Sequence, residues 1–184
     1  MTDLWRLPTT LTVGGAEYGI HCDFRDILEI FSYFQDENLP PFIRWQIALE
    51  LFYHSPIPPQ HQKEAMEQMI DFVQCGQEAA PGPALVDWQK DAPLIVADIN
   101  RTAKQEIRAL PFVHWWTFLA WFHGIGEGQF STVIALREKL RTGKRLENWE
   151  KEFYQKNKTR IDLPKRETPE QKTEKARLLA MLGR

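Results

Sequence analysis

The chain predicts a mainly α-helical domain that opens with a short β-hairpin and closes with a helical, partly flexible arm. Three observations lead there. Strict alternation of apolar and polar residues is confined to the stretch before Asp23. From Asp23 onward, apolar residues recur at three- and four-residue spacing in segments punctuated by proline, glycine and capping residues. Charge is also segregated: 8 Lys+Arg stand against 17 Asp+Glu up to Leu136, and 15 against 8 from Arg137 onward. An acidic body thus precedes a basic end, with residues 1–164 as the helical domain and 165–184 as the arm.

The hairpin falls within residues 4–22. Leu11 and Val13 alternate before Gly14-Gly15, and Ala16, Tyr18 and Ile20 after it. A Gly-Gly pair supplies the positive φ angles of a tight turn. A lone hairpin is marginal in water, so it must lie on another element. Asp23 caps a first helix whose Phe24, Ile27, Leu28, Phe31 and Phe34 share a face. Asn38-Leu39-Pro40-Pro41 ends it and starts a second, with Phe42, Trp45, Leu49 and Phe52 inward. Ser55-Pro56-Ile57-Pro58-Pro59 is a stiff connector. Gln60 to Cys75 forms a third helix, with Ala65, Met66, Met69, Ile70 and Val73 inward and Gly76 as its stop.

Ala79-Ala80-Pro81-Gly82-Pro83 reads as a loop. Leu85 to Glu106 reads as helix, either continuous or restarted at Asp91 with Pro93 in its first turn, burying Trp88, Ala92, Ile95, Ile99 and Ala103. A Trp-rich helix follows, then a break at Gly124–Gly128 and a helix from Gln129 to Arg141. A further helix from Glu147 to Lys156 carries Trp149 and Phe153. In the arm, Thr168-Pro169-Glu170-Gln171 is a capping box opening a helix with Leu178, Leu179, Met181 and Leu182 crowded at its end. A short polar helix with an apolar tip is unstable alone, so a partner or a second copy of the chain is expected to receive it.

The composition narrows the class. A chain of 184 residues is long enough to bury a core. Cys22 and Cys75 are too few for a disulfide framework and lack metal-ligand spacing. The longest apolar run, Phe112 to Ile125, is interrupted by His114, Thr117, His123 and Gly124 and falls short of the about 20 residues of a membrane span. No charged-then-apolar leader precedes the hairpin, so a soluble cytoplasmic protein is expected.

Catalytic and cofactor constellations find little footing. His114 and His123 are nine positions apart, which places them on opposite faces of one helix, unable to share a metal through it. They read instead as helix-end histidines, solvated or bonded to backbone. Asp87, Asp91 and Asp98 would line one face of an unbroken helix, where a carboxylate row can hold a cation. Pro93 disturbs that register, so a solvated face or a capping role is the expectation. Gly124-Ile125-Gly126-Glu127-Gly128 follows a helix and has no Lys-Ser/Thr pair after it, so it reads as a linker rather than a phosphate cradle. No Gly-x-Ser-x-Gly elbow and no Cys/His nucleophile grouping is present. No enzyme activity, cofactor or metal is expected.

The basic end could track nucleic-acid phosphates. Its cations alternate with Glu147, Glu150, Glu152, Glu167, Glu170 and Glu174, the pattern of a solvated, salt-bridged helix, so a plain solvated arm is the first expectation, contact with an acidic protein surface, another copy's body included, the second, and nucleic acid the weakest. The Trp-rich helix is apolar on most sides, which marks a central core helix. The alternative is a partly exposed patch that takes an apolar partner helix. Its candidate contact residues are Trp115, Trp116, Phe118, Trp121 and Phe122, joined by Leu178, Leu179 and Leu182 of the arm.

Three blocks carry a resemblance. Gly15 to Leu28, with Asp23-Phe24-Arg25, resembles the opening of the bacteriophage "gene product fifteen" family. Asp87 to Ile99 resembles its middle segment, and His114-Trp115-Trp116-Thr117-Phe118, followed by Phe130, Ile134 and Arg137, its best-marked block. The resemblance runs from Leu4 to Pro164; the glycine-rich turn His123-Gly124-Ile125-Gly126 departs from it. It implies a protein of long-tailed phages or prophages encoded among tail genes near the tape-measure protein. Proteins at that place commonly act as tail assembly chaperones, covering apolar helices of the tape measure in the host cytoplasm until tube subunits replace them. The expected function is therefore non-catalytic tail assembly. The rivals are a structural tail component of the virion, a nucleic-acid-binding protein acting through Arg137 to Arg184, and a metal-dependent hydrolase using Asp87, Asp91 and Asp98.

Overall fold

Helices arise where the sequence alternates apolar and polar residues every three or four positions, and the computed structural model, which describes residues 5–76 and 85–163, is mainly helical. The element order is β1 (Thr10–Val13), β2 (Ala16–Gly19), α1 (Phe24–Gln35), α2 (Pro41–Phe52), α3 (Gln62–Val73), α4 (Ala92–Ala103), α5 (Trp115–His123), α6 (Gln129–Arg141) and α7 (Asn148–Ile161). Two compact units result, one running to Ile134 and one from Ala135. The expected loop at Ala79 to Pro83 and the arm at 165–184, with Leu178, Leu179 and Leu182, lie outside the described residues.

In the first unit, β1 and β2 pair antiparallel, with Leu11 opposite Tyr18 and Val13 opposite Ala16. Gly14 and Gly15 both take positive φ, 58° and 78°, as a two-residue turn matched to strand twist requires. The hairpin rests on α3: the Gly14 amide donates to the Glu64 carboxylate at 3.0 Å. A Cβ at Gly14 would come within 2.6 Å of the His61 ring, so packing as well as turn geometry demands glycine there. A bridge between Ile20 and Tyr53 joins the end of the hairpin to the end of α2.

Asp23 caps α1, accepting from the Arg25 amide at 2.9 Å, and Phe24, Ile27 and Ile30 are buried. In α2, Ala48, Leu49 and Phe52 form the inward face. Phe42, expected inward, is 68% exposed. It shares the side of Leu49 but sits in the first turn, two turns before the buried residues Ala48, Leu49 and Phe52, so the end of the helix is left uncovered. A 3-10 turn at Pro59–His61 leads into α3, which buries Ala65, Met69 and Phe72 and turns Ile70 outward, again against expectation. Phe72 fills the face instead, one half-turn further round. α3 ends through Cys75 and Gly76, both at positive φ, with the Gly76 amide donating back to the Asp71 carbonyl at 2.8 Å.

α4 restarts after Asp91 with Pro93 in its first turn, and residues 85–91 are not helical. Lys104 at φ 55° stops it. Among the most deeply buried side chains are Ile27, Phe52, Ile99, Ile107, Trp115 and Phe118, drawn from α1, α2, α4, α5 and the turn before α5.

The second unit takes in the last residues of α6 together with α7. Glu147 and Glu150 form a capping box at the start of α7, and Lys139 pairs with the buried Glu150 at 2.6 Å. The helix reaches Ile161, past the Lys156 end expected from sequence, because the break at Asn157 interrupts its periodicity without ending it. Arg137, 5% exposed, donates to the carbonyls of Ile161 at 2.7 Å and Arg160 at 3.0 Å, closing the end of α7. Among the described residues, no helix is long and apolar enough to cross a membrane.

Candidate functional site

Asp23-Phe24-Arg25 and His114-Trp115-Trp116-Thr117-Phe118 lie far apart in sequence and meet in space. Asp23 bridges to His114, the Phe24 amide donates to the Val113 carbonyl at 2.9 Å, and the Trp115 amide donates to the Cys22 carbonyl at 2.7 Å. The Asp23 carboxylate also accepts from the Val113 amide at 2.8 Å and from the Arg25 guanidinium through both oxygens at 3.0 Å. The far edge of that guanidinium donates to the Leu110 carbonyl at 2.7 Å. The approach to α5 is thereby fixed by one acid and one arginine at the start of α1. Phe24 then stacks on Phe118, ring centres 4.6 Å apart and planes 6° from parallel. Such pairs contribute about 0.5–1.5 kcal/mol beyond burial.

α5 itself is a core element. Its cap is His114, whose Nδ1 accepts from the Trp116 amide at 3.1 Å while Nε2 lies 2.9 Å from the Pro8 carbonyl. The neutral imidazole with its proton on Nε2 satisfies both contacts at once. Burial holds the His114 pKa below its ordinary value, the Pro8 hydrogen bond opposing it. The two indoles reach the end of α3: Trp115 Nε1 donates to the Val73 carbonyl at 2.9 Å and Trp116 Nε1 to the Phe72 carbonyl at 2.8 Å. The last four carbonyls of a helix lack partners within it, and α5 supplies two of those partners. Periodicity carried no signal for this link.

Of the residues expected to receive a partner, Trp115, Trp116 and Phe118 are thus in the core, at 1%, 9% and 1% exposure. Trp121 and Phe122 are half-buried, and Phe122 packs against Trp88 and Phe130. The core reading of the Trp-rich helix describes most of it, and an accessible stripe shrinks to its last turn.

The carboxylate row is dispersed. Asp91 is fully buried and accepts from the Asp87 amide at 2.9 Å, while Asp87 accepts from the Gln89 and Lys90 amides. Asp98, 6% exposed, pairs with Arg101 at 3.1 Å and accepts from the Phe130 amide at 3.3 Å, so it holds the start of α6. A solvated face is therefore incorrect for Asp91 and Asp98. The break before α4 rotates them apart and puts each to work on backbone amides. Further along, Glu106 accepts from Asn100 and from the Arg108 amide and guanidinium, which hold its carboxyl down at about 2.

The uncovered apolar surface lies elsewhere. On α2, Ile43, Gln46, Ile47 and Glu50 face away from the buried stripe of Ala48, Leu49 and Phe52, and Phe42 stands exposed at the start of the helix. Ile43 and Ile47 are half-exposed and stand outside the hydrophobic core, next to the largely exposed Phe42. The signal was present in the sequence, since apolar residues occupy both faces of Pro41–Phe52. In the second unit, Trp149 is 55% exposed, and Lys144, Arg145, Lys151, Lys156, Lys158 and Arg160 are exposed around it.

A family model described as bacteriophage Gp15 protein matches residues 3–163 of the chain. No curated protein and no solved structure matches it.

Proposed function

Because the chain belongs to the bacteriophage Gp15 family, and so is a bacteriophage protein, we propose that it acts without catalysis in tail assembly, as a chaperone that covers apolar helices of the tape-measure protein in the host cytoplasm. The observation that carries this reading is the outer surface of α2, where Phe42 is largely exposed and Ile43 and Ile47 are partly exposed and stand outside the hydrophobic core. An amphipathic partner helix buries such a face through anchors at three- and four-residue spacing. The aromatic helix supports the role indirectly, by holding the scaffold rigid beneath. The absence of catalysis is favoured by the employment of the buried acids: Asp23, Asp91, Asp98 and Glu150 each bind backbone amides or a cation of their own chain.

The test is co-expression with the tape-measure protein of the same phage. The wild-type chain is expected to keep that protein soluble and co-elute with it. Phe42→Ser combined with Ile47→Ser should abolish co-elution while lowering the melting temperature by no more than a few degrees, since surface changes cost about 0.5 kcal/mol each. Co-elution untouched by the double variant would remove the α2 face from the proposal. Mass spectrometry finding the chain as a stoichiometric component of purified virions would favour the structural-component reading instead.

A further inference from the structure

The bridge that ties the hairpin to α2 carries a histidine on each side. Around the Ile20–Tyr53 pair, the His21 amide donates to the Phe52 carbonyl at 2.8 Å and the His54 amide to the Gly19 carbonyl at 3.0 Å. Ile20 and Tyr53 point into the core at 3% exposure each. Side chains alternate across extended backbone, so His21 and His54 both emerge on the opposite, exposed side. Their ring centres are 4.4 Å apart and their planes 68° from parallel.

Neither ring takes part in a hydrogen bond or ion pair among the described residues. The place of the His54 ring is set by a glycine: a Cβ at Gly19 would stand 2.5 Å from Nδ1, so this nitrogen lies over the bare Gly19 backbone and Nε2 on the far side of the ring is the one left open.

We propose that His21 and His54 form a two-histidine site for a divalent transition ion of the nickel, copper or zinc type. Imidazole nitrogen suits these ions. It binds them at ~2.0–2.1 Å, which sets the ring centre roughly 3 Å from the ion and two rings at a right angle of coordination roughly 4.5 Å apart. The observed 4.4 Å spacing of the ring centres matches that separation. No group of three or more His, Cys, Asp or Glu side chains converges among the described residues, so water completes the coordination shell. Bound there, the ion clasps the Gly19–His21 segment to the Phe52–His54 segment, and it stabilises the fold by an amount that grows with the logarithm of free ion once that exceeds Kd.

The experiment uses the full chain without an affinity tag, stripped with a chelator and titrated with nickel chloride. Wild type is expected to bind one ion per chain by calorimetry, with a rise in melting temperature. His21→Ala and His54→Ala should each abolish both the heat of binding and the rise, whereas His123→Ala, at the end of α5, should retain them. Copper(II) electron paramagnetic resonance of wild type should show coupling to two nitrogens, reduced to one in either variant, and this readout remains interpretable if a variant melts early. Absence of binding by wild type, or binding undiminished by both substitutions, overturns the site. The α2 outer face is not touched by these variants, so failure here and failure of chaperone activity are separate results.

Discussion

His114 shows how much one side chain can settle. It caps α5, reaches back to Pro8 and stays neutral because burial disfavours the imidazolium. Its folded pKa lies below the ordinary 6.5, so the unfolded chain binds the proton more readily. The stability it contributes is complete above that value and drains away as pH falls from it through the folded pKa. Urea midpoints are therefore expected to drop on acidification below neutrality, and His114→Gln, which retains a hydrogen-bonding side chain without the titration, should flatten that slope. Much of the detail at this scale was legible: the Asp23 cap and the turn glycines follow from residue type alone. The indole bonds to Phe72 and Val73 were not, because they depend on where α5 lands relative to α3, which local spacing does not encode.

Elements were legible where one face is apolar and the other polar. α1 satisfies that condition, and its expected face is turned inward: Phe24 and Ile27 are buried, Leu28, Phe31 and Phe34 pack against the core, and Ile30 is buried in addition. α2 does not, since it is apolar nearly all round, and the inward assignment of Phe42 failed for that reason. The candidate site suffered the same ambiguity: a helix rich in tryptophan and a helix apolar on both faces are indistinguishable by composition as core or as surface. The turn between α5 and α6 yields a sharper distinction. Gly126 has nothing within 4 Å of where a Cβ would stand, whereas at Gly128 the Asp98 carboxylate would lie 2.8 Å away and Arg101 2.9 Å. Gly126→Ala should leave the melting temperature unchanged. Gly128→Ala should cost about 1–3 kcal/mol in chemical denaturation, the usual penalty for overpacking against a buried group that is pinned by its own partners.

Across the whole molecule, the two units differ in what holds them. The first is sustained by aromatic and aliphatic burial around α5, while α7 buries only Glu150 and Ile161 and is interrupted at Asn157. Helical amides open locally where few apolar groups cover them. Hydrogen exchange followed by mass spectrometry should accordingly find α7 exchanging well before α1 and α5, and equal protection would refute that ranking. The charge segregation seen in the sequence follows the same division, with the exposed cations of Lys144 to Arg160 in the second unit.

The two indole bonds to the last turn of α3 also make the chain its own optical gauge. Trp115 and Trp116 sit in dry, carbonyl-bonded surroundings, whereas Trp5 and Trp149 are 97% and 55% exposed. Emission from the first pair is set by whether α3 and α5 remain seated together, and that of the second by their access to solvent, Trp149 also donating to the Glu147 carboxylate at 2.8 Å. A shift toward shorter or longer wavelength on adding any binding partner therefore distinguishes loosening of the aromatic interior from a covering of its periphery, with no dye attached.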